Sequence, residues 1–186
     1  MLNNFRPREL WVGALPNTPV ITALLAYAGS LDIHVVRRSE GENFEFGGTR
    51  AAVLSPPAGW RTTAQPKNNG SLVLRVSFGE SSMLPEGDAE SPVEQRMASS
   101  ENLKSDLLKV GHHGSATSSS PAFVHAVKPR WAIISVGAGN TFGHPRPETL
   151  EQLQQEGVFT YRTDRNGAVT FYLDGKSVSP QLACLR

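Results

Sequence analysis

Two adjacent histidines, His112 and His113, stand between Gly111 and Gly114 and lead into a run of hydroxyls at Ser115, Thr117, Ser118, Ser119 and Ser120. Paired imidazoles, a glycine and a hydroxyl cluster have the layout of a site, and hydroxyls with free amides at a helix start suit an anion such as phosphate. The alternative is a surface turn with a solvated histidine pair and a serine N-cap. In strand-like backbone neighbouring side chains point to opposite sides, so at most one of the two histidines is expected to face a pocket. Asp88 is a second candidate. In Gly87-Asp88 the glycine lets the backbone approach closely and leaves the carboxylate across a strand end, as a bridging metal ligand requires. A plain N-cap for the helix that follows is the more economical use of Asp88. A third candidate is the stretch Gly137 to Pro145, whose glycines permit an irregular loop holding Asn140 and His144 inward, although a turn closed by Pro145 would read the same.

The elements that must position these residues follow from pattern. Leu107, Leu108 and Val110 are enough for a buried strand and too few for a buried helix, so the histidines sit at a strand's carboxyl end, where open α/β sheets bind ligands. Upstream, Glu9 to Val12 reads as a strand, Pro19 to Ala28 as a helix stopped by Gly29, and His34 to Arg37 as a strand, which suggests a parallel crossover. Phe44 to Phe46, a double glycine and Ala51 to Leu54 read as a hairpin. Pro56 to Lys67 is a loop. A strand from Ser71 to Phe78 turns at Gly79-Glu80, returns through Met83 and Leu84 to Asp88, and precedes a helix from Ser91 to Met97. Further helices are expected over Pro121 to Val127, with His125 facing solvent, and over Pro147 to Gln155. Further strands are expected over Trp131 to Val136, Val158 to Arg162, Ala168 to Leu173 and Lys176 to Val178, with Thr163, Asp164 and Arg165 in a turn.

Composition bounds the function without naming it. The 186 residues fit one domain, and 39% hydrophobic with 19% charged residues is an ordinary globular profile. Eighteen basic against 17 acidic residues give a net charge of +1, so affinity for nucleic acid would need a local patch. Arg130, Arg146, Arg162 and Arg165 lie near strand ends or turns, a placement that plain surface arginines share. The single cysteine, Cys184, forms no internal disulfide and excludes a cysteine-based zinc site. No apolar run approaches the roughly 20 residues of a membrane span, and the start lacks a signal-peptide core, so the chain by itself is expected to be soluble.

In order, the motifs are Asn-Asn-x-Ser-Leu-Val-Leu from Asn68, Gly-Asp-Ala-Glu from Gly87, Leu-Lys-Val-x-His-His-Gly-Ser-x-Thr-Ser from Leu108, Ile-Ser-Val-Gly-x-x-Asn-x-Phe-Gly-His-Pro from Ile134, and Tyr-Arg-Thr-Asp-x-x-Gly from Tyr161. The series closely resembles the carboxyl-terminal metallo-β-lactamase-fold domain of the ComEC competence proteins, inner-membrane channels for DNA uptake, and the match runs from Asn4 to about Leu173. The resemblance implies an α/β, αββα sandwich. It also exposes a departure: the strand-end signature His-x-(His or Asp)-x-Asp-His that opens such domains has no counterpart here. The expectation is therefore a single partial domain, residues 1–186, lacking the first strands and first metal-binding motif.

Carried over residue by residue, the resemblance makes Asp88 a bridging ligand and His113 the favoured histidine ligand. His112, Lys109, Ser115 and Thr117 would surround a scissile phosphate, Asn68, Asn69 and Ser71 would line the adjoining wall, and Asn140 and His144 would close the site. Two assignments stay open: which of His112 and His113 is the ligand, and whether His144 is a ligand with the His-His pair behind it. Histidine and carboxylate donors suit zinc or manganese, and two such ions activate water and hold a phosphate oxygen. The implied activity is a DNase acting on the strand that is not taken up, with DNA and the membrane channel of the same parent as partners. This chain alone is expected to be inactive and to hold metal weakly or not at all. The competing readings are a lactonase or esterase of the same fold and a non-catalytic module that has lost its metals.

Overall fold

The computed structural model describes residues 2–60, 67–99 and 103–182. Cys184 and most of the second half of the expected loop from Pro56 to Lys67 lie outside them. The chain opens with α1 (Leu2–Phe5), β1 (Glu9–Val12), α2 (Pro19–Ser30) and β2 (His34–Arg37), and β1 and β2 pair in parallel as a separate ribbon. Thr18 caps α2 by accepting from the Ile21 amide at 3.3 Å, with Pro19 at the first helical position. The helix runs past Gly29, where the sequence pattern stops it. Asp32, at φ 56°, takes the left-handed position instead, and the amides of Asp32 and Ile33 bond back to Gly29 and Ala28.

The main sheet is seven-stranded and mixed, built in spatial order from β3 (Asn43–Phe46), β4 (Thr49–Ser55), β5 (Val73–Phe78), β6 (Ser81–Pro85), β7 (Leu107–Lys109), β8 (Trp131–Ile134) and β9 (Phe159–Arg162). Strands β3 to β6 form an antiparallel meander, and β6 to β9 run parallel. Strand β5 begins two residues later than its apolar pattern, because Lys67–Gly70 forms a turn of 3-10 helix ahead of it. Parallel neighbours need crossovers, and these are α3 (Ser91–Ala98), α4 (Pro121–Val127) and α5 (Pro147–Gln155).

Alternation along the parallel strands sorts their faces. Leu84, Leu108, Ala132 and Ile134 point toward the helices and pack with Val93, Met97, Phe123, Val124, Val127 and Leu153 in one buried cluster. Trp131 and Tyr161 lie on the other face. There they meet a second layer, the antiparallel ribbon of β10 (Val169–Leu173) and β11 (Val178–Leu182): Trp131 Nε1 donates to the Val178 carbonyl at 3.0 Å, and the Tyr161 and Phe171 rings meet edge to face. Thr163 to Arg165, expected in a turn, belong to a single helical turn, α6 (Thr163–Asn166). Among the described residues, no helix is long and apolar enough to cross a membrane.

Candidate functional site

The carboxyl ends of the four parallel strands converge, and each delivers one part of the site. After β6 comes Asp88, after β7 the histidine pair, after β8 the loop from Ser135 to His144, and after β9 Thr163. His113 Nε2 lies 3.8 Å from Asp88 Oδ1, both side chains being about half exposed, at 48% and 45%. On its other side, His113 Nδ1 lies 2.6 Å from the Ser135 carbonyl. A carbonyl only accepts, so Nδ1 carries the proton and donates. The Nε2 lone pair is thereby left facing Asp88, the tautomer that a metal-ligating histidine needs.

The backbone of the pair is not strand-like. His112 and His113 both adopt left-handed conformations, φ 44° and 55°, in a tight 3-10 turn. This corrects the expectation that they point to opposite sides, since both rings face the site. The His112 ring meets the His144 ring at 5.8 Å, and its Nδ1 lies 3.4 Å from Thr117 Oγ1 and 3.6 Å from Glu90 Oε1. Gly114 makes the fit possible. At φ 82° it lies so close to Pro145 that an added Cβ would stand 2.5 Å from the proline Cβ, and its carbonyl accepts from the Arg146 amide at 2.8 Å.

The hydroxyl run is not an open anion cradle. The amides of Ser119 and Ser120 are taken by the Glu94 carboxylate from α3, so the anion at the start of α4 is the chain's own side chain. Glu94 has no exposed surface, and neither has Glu86, which accepts from the Gly111 amide at 2.9 Å. Burial, then hydrogen bonding and repulsion from Glu94, push the Glu86 carboxyl well above the usual range. Glu86 Oε1 has no donor near it, because two carboxylates have no hydrogen to share; protonated, it becomes the donor to Glu94. The buried pair thus fixes the chain on both sides of the histidines.

The remaining candidates divide by what they touch. Asp88 does not cap α3: Glu90 holds the N-cap position, and the Asp88 amide donates to Ser71 Oγ at 3.2 Å. Asn69 is buried and accepts from the Glu90 amide at 3.1 Å, and Asn68 donates to the Glu90 carboxylate at 3.2 Å. Ser71, Asn69 and Asn68 therefore shape the loop that bears the acid. Ser115 is also buried, its Oγ 3.0 Å from Thr117 Oγ1. Lys109 donates to the Gly87 carbonyl at 3.3 Å; burial lowers its pKa, and the charge of Asp88 opposes that shift. Asn140 braces its own loop, bonding both the amide and the carbonyl of His144. The pKa of His144 is held below the usual histidine range by burial, then by His112, Arg146 and His113, and its buried Nδ1 has no partner among the described residues. His34 and His125 are exposed and lie away from these loops, and Arg162 is paired with Asp164 at 2.6 Å.

Sequence reading overlooked Glu90, Glu86, Glu94, Phe142 and Thr163. Glu90 had a signal, standing two residues beyond Asp88 in Gly-Asp-Ala-Glu. Phe142 and Thr163 stand inside the Asn-x-Phe-Gly-His-Pro and Tyr-Arg-Thr-Asp motifs without a role having been read for them, and Glu86 and Glu94 had no signal in the local pattern. As for metal, Asp88 and His113 fit as donors by chemistry and orientation. Among the described residues, however, no three or more His, Cys, Asp and Glu side chains gather closely enough to hold an ion by themselves.

The fold has known counterparts. The diiron β-hydroxylase CmlA from Streptomyces venezuelae superposes with a TM-score of 0.55 over 94% of this chain and 40% of that one, at 14% identity. At that identity the likeness speaks for fold alone, and the chain has the metallo-β-lactamase fold. No family model matches the sequence, whereas individual relatives do. ComE operon protein 3 of Bacillus subtilis is 41% identical over 120 residues, 64% of this chain and 15% of the relative. Competence protein ComA of Neisseria gonorrhoeae is 33% identical over 177 residues, 91% of this chain and 24% of the relative. Recombination protein 2 of Haemophilus influenzae is 35% identical over 144 residues, 72% and 18% respectively. The chain belongs to the ComEC family of competence proteins. It spans less than a quarter of the length of these relatives.

Proposed function

We propose that the chain supplies the strand-end half of a metal-dependent DNA hydrolase, acting within a competence protein on the strand that is not taken up. One observation carries the reading: His113 Nε2 faces Asp88 at 3.8 Å while its Nδ1 is tied to the Ser135 carbonyl. That is a ligand pair with its orienting contact already in place. Two divalent ions, manganese or zinc, would supply activated water and neutralise charge on a phosphate. The donors beyond Asp88 and His113 come, in this reading, from outside the described residues, and the membrane channel of the same parent is the partner.

The chain's own side chains hold the substrate and its protons. Lys109, held on the Gly87 carbonyl, places a cation near Asp88. His144, kept neutral, offers a ring nitrogen as acceptor, and His112 stands against it with Thr117 and Glu90 setting its position. An acceptor of this kind suits an attacking water, which must give up a proton.

The test is a chimera in which this chain replaces the matching 177 residues of the gonococcal protein. With manganese it should cleave labelled DNA. Asp88→Asn and His113→Ala should each lower cleavage by at least about 100-fold, and His125→Ala should leave it unchanged. A chimera that hydrolyses a lactone or ester and leaves single- and double-stranded DNA intact would refute the reading.

A further inference from the structure

We propose that the cleft beside the Asp88–His113 pair is a nucleobase subsite in which Phe142 is the stacking platform, taking one unpaired base of any identity. The inference rests on the DNA reading above and adds how the strand is held. The cleft has a volume of about 410 Å³, in the range of small-molecule sites, and is lined by His113, Val136, Asn140, Phe142, His144 and Thr163. His113 belongs both to it and to the candidate metal pair, so a group in the cleft lies next to whatever the pair holds.

Phe142 is 73% exposed and lies on the rim of this cleft. Its ring is stacked on the His144 ring, with centroids 6.0 Å apart and planes 18° apart. Asn140 bonds the His144 backbone on both sides, so the aromatic pair stands on a braced loop. An exposed aromatic face over an apolar cleft suits a flat aromatic ligand. The charge around it suits the rest of a nucleotide. Arg146 is exposed, close enough to His144 to lower its pKa, and makes no ion pair among the described residues, so its guanidinium is free for a phosphate.

The polar groups of the cleft decide what it reads. Thr163 Oγ1 already accepts from the Val136 amide and donates to the Val136 carbonyl, both at 2.7 Å. Both ends of the Asn140 amide are occupied by its own loop. Few donors and acceptors remain for a base edge, so the cleft offers a surface to stack on without a sequence code. A paired base is already stacked and cannot enter. The subsite therefore favours single strands.

Fluorescence anisotropy with the full chain, without divalent metal and at low salt, tests this. The probes are labelled oligothymidylate, oligoadenylate, an abasic strand of the same length and charge, and a duplex. Both base-bearing strands should bind about tenfold or more tightly than the abasic strand and more tightly than the duplex. Phe142→Ala should erase the difference, and Phe142→Trp should retain it. Phe142 is largely exposed, so either change touches little besides its contact with the His144 ring. Binding of the abasic strand equal to that of oligothymidylate, or an unchanged ratio in Phe142→Ala, overturns the subsite and leaves the DNA reading standing. Absence of binding to any strand overturns both. Displacement of the probe by a medium-chain ester and not by free thymidylate reassigns the cleft to an acyl group and also overturns the subsite.

Discussion

Glu86 is the residue whose surroundings were hardest to foresee. In the sequence it is one of several acids near a glycine, and nothing local separates it from a solvated surface charge. In the fold it has no exposed surface and meets a second buried acid, Glu94. Its pKa is raised in the folded chain, so between the ordinary carboxylate value and the raised one the folded state holds a proton that the unfolded state has released. Stability from this group is complete at low pH and is lost as pH rises through that window. Glu86→Gln keeps the acceptor for Gly111 and cannot ionise. Urea unfolding at a series of pH values above about 4.5 should show the wild type losing stability relative to Glu86→Gln as pH rises. Parallel curves would show that Glu86 does not titrate in the folded chain. Asp88 and His113 were legible because they end strands of recognisable pattern, whereas burial of Glu86 and Glu94 depends on which helix covers which strand.

At the scale of elements, the strands and helices were largely readable, because apolar runs, turn glycines and helix-start prolines are local signals. The hairpin of β3 and β4 and the parallel pairing of β1 and β2 are examples. The left-handed histidine turn was not readable, since it is imposed by contacts from other loops. Gly114 against Pro145 is the clearest of these, and the Glu94 carboxylate at the start of α4 is another. Gly114→Ala should therefore cost about 1–2 kcal/mol for the left-handed conformation and about 1–3 kcal/mol for crowding Pro145. Denaturant midpoints measure the sum. A loss under about 0.5 kcal/mol would mean that the two loops separate easily. The same substitution should also shift the His112 and His144 ring resonances, which a simple global destabilisation would leave in place.

At the scale of the molecule, the sheet end presents two well-oriented donors and, among the described residues, no third. Open positions filled by water give up most of the affinity of a complete site. Calorimetry of the chain with manganese and zinc should show one weak event, abolished by Asp88→Asn. A stoichiometric, submicromolar isotherm for two ions would mean that residues outside the described ones complete the centre within this chain. The seven-stranded sheet with its parallel half was foreseeable from the alternation of strands and helices. That β10 and β11 would leave it to form the layer beneath Trp131 was not, because a turn signal specifies a hairpin and not the sheet it joins.

The loops at that sheet end are fastened to one another. The His112 amide bonds the Gly87 carbonyl, Ser91 bonds Thr117, Arg146 bonds Gly114, and Val136 bonds Thr163. A rim tied in this way cannot open one loop at a time. The conformational entropy that a loose rim would surrender when a substrate arrives is already lost when the chain folds, and a ligand of the right shape meets walls that need no ordering.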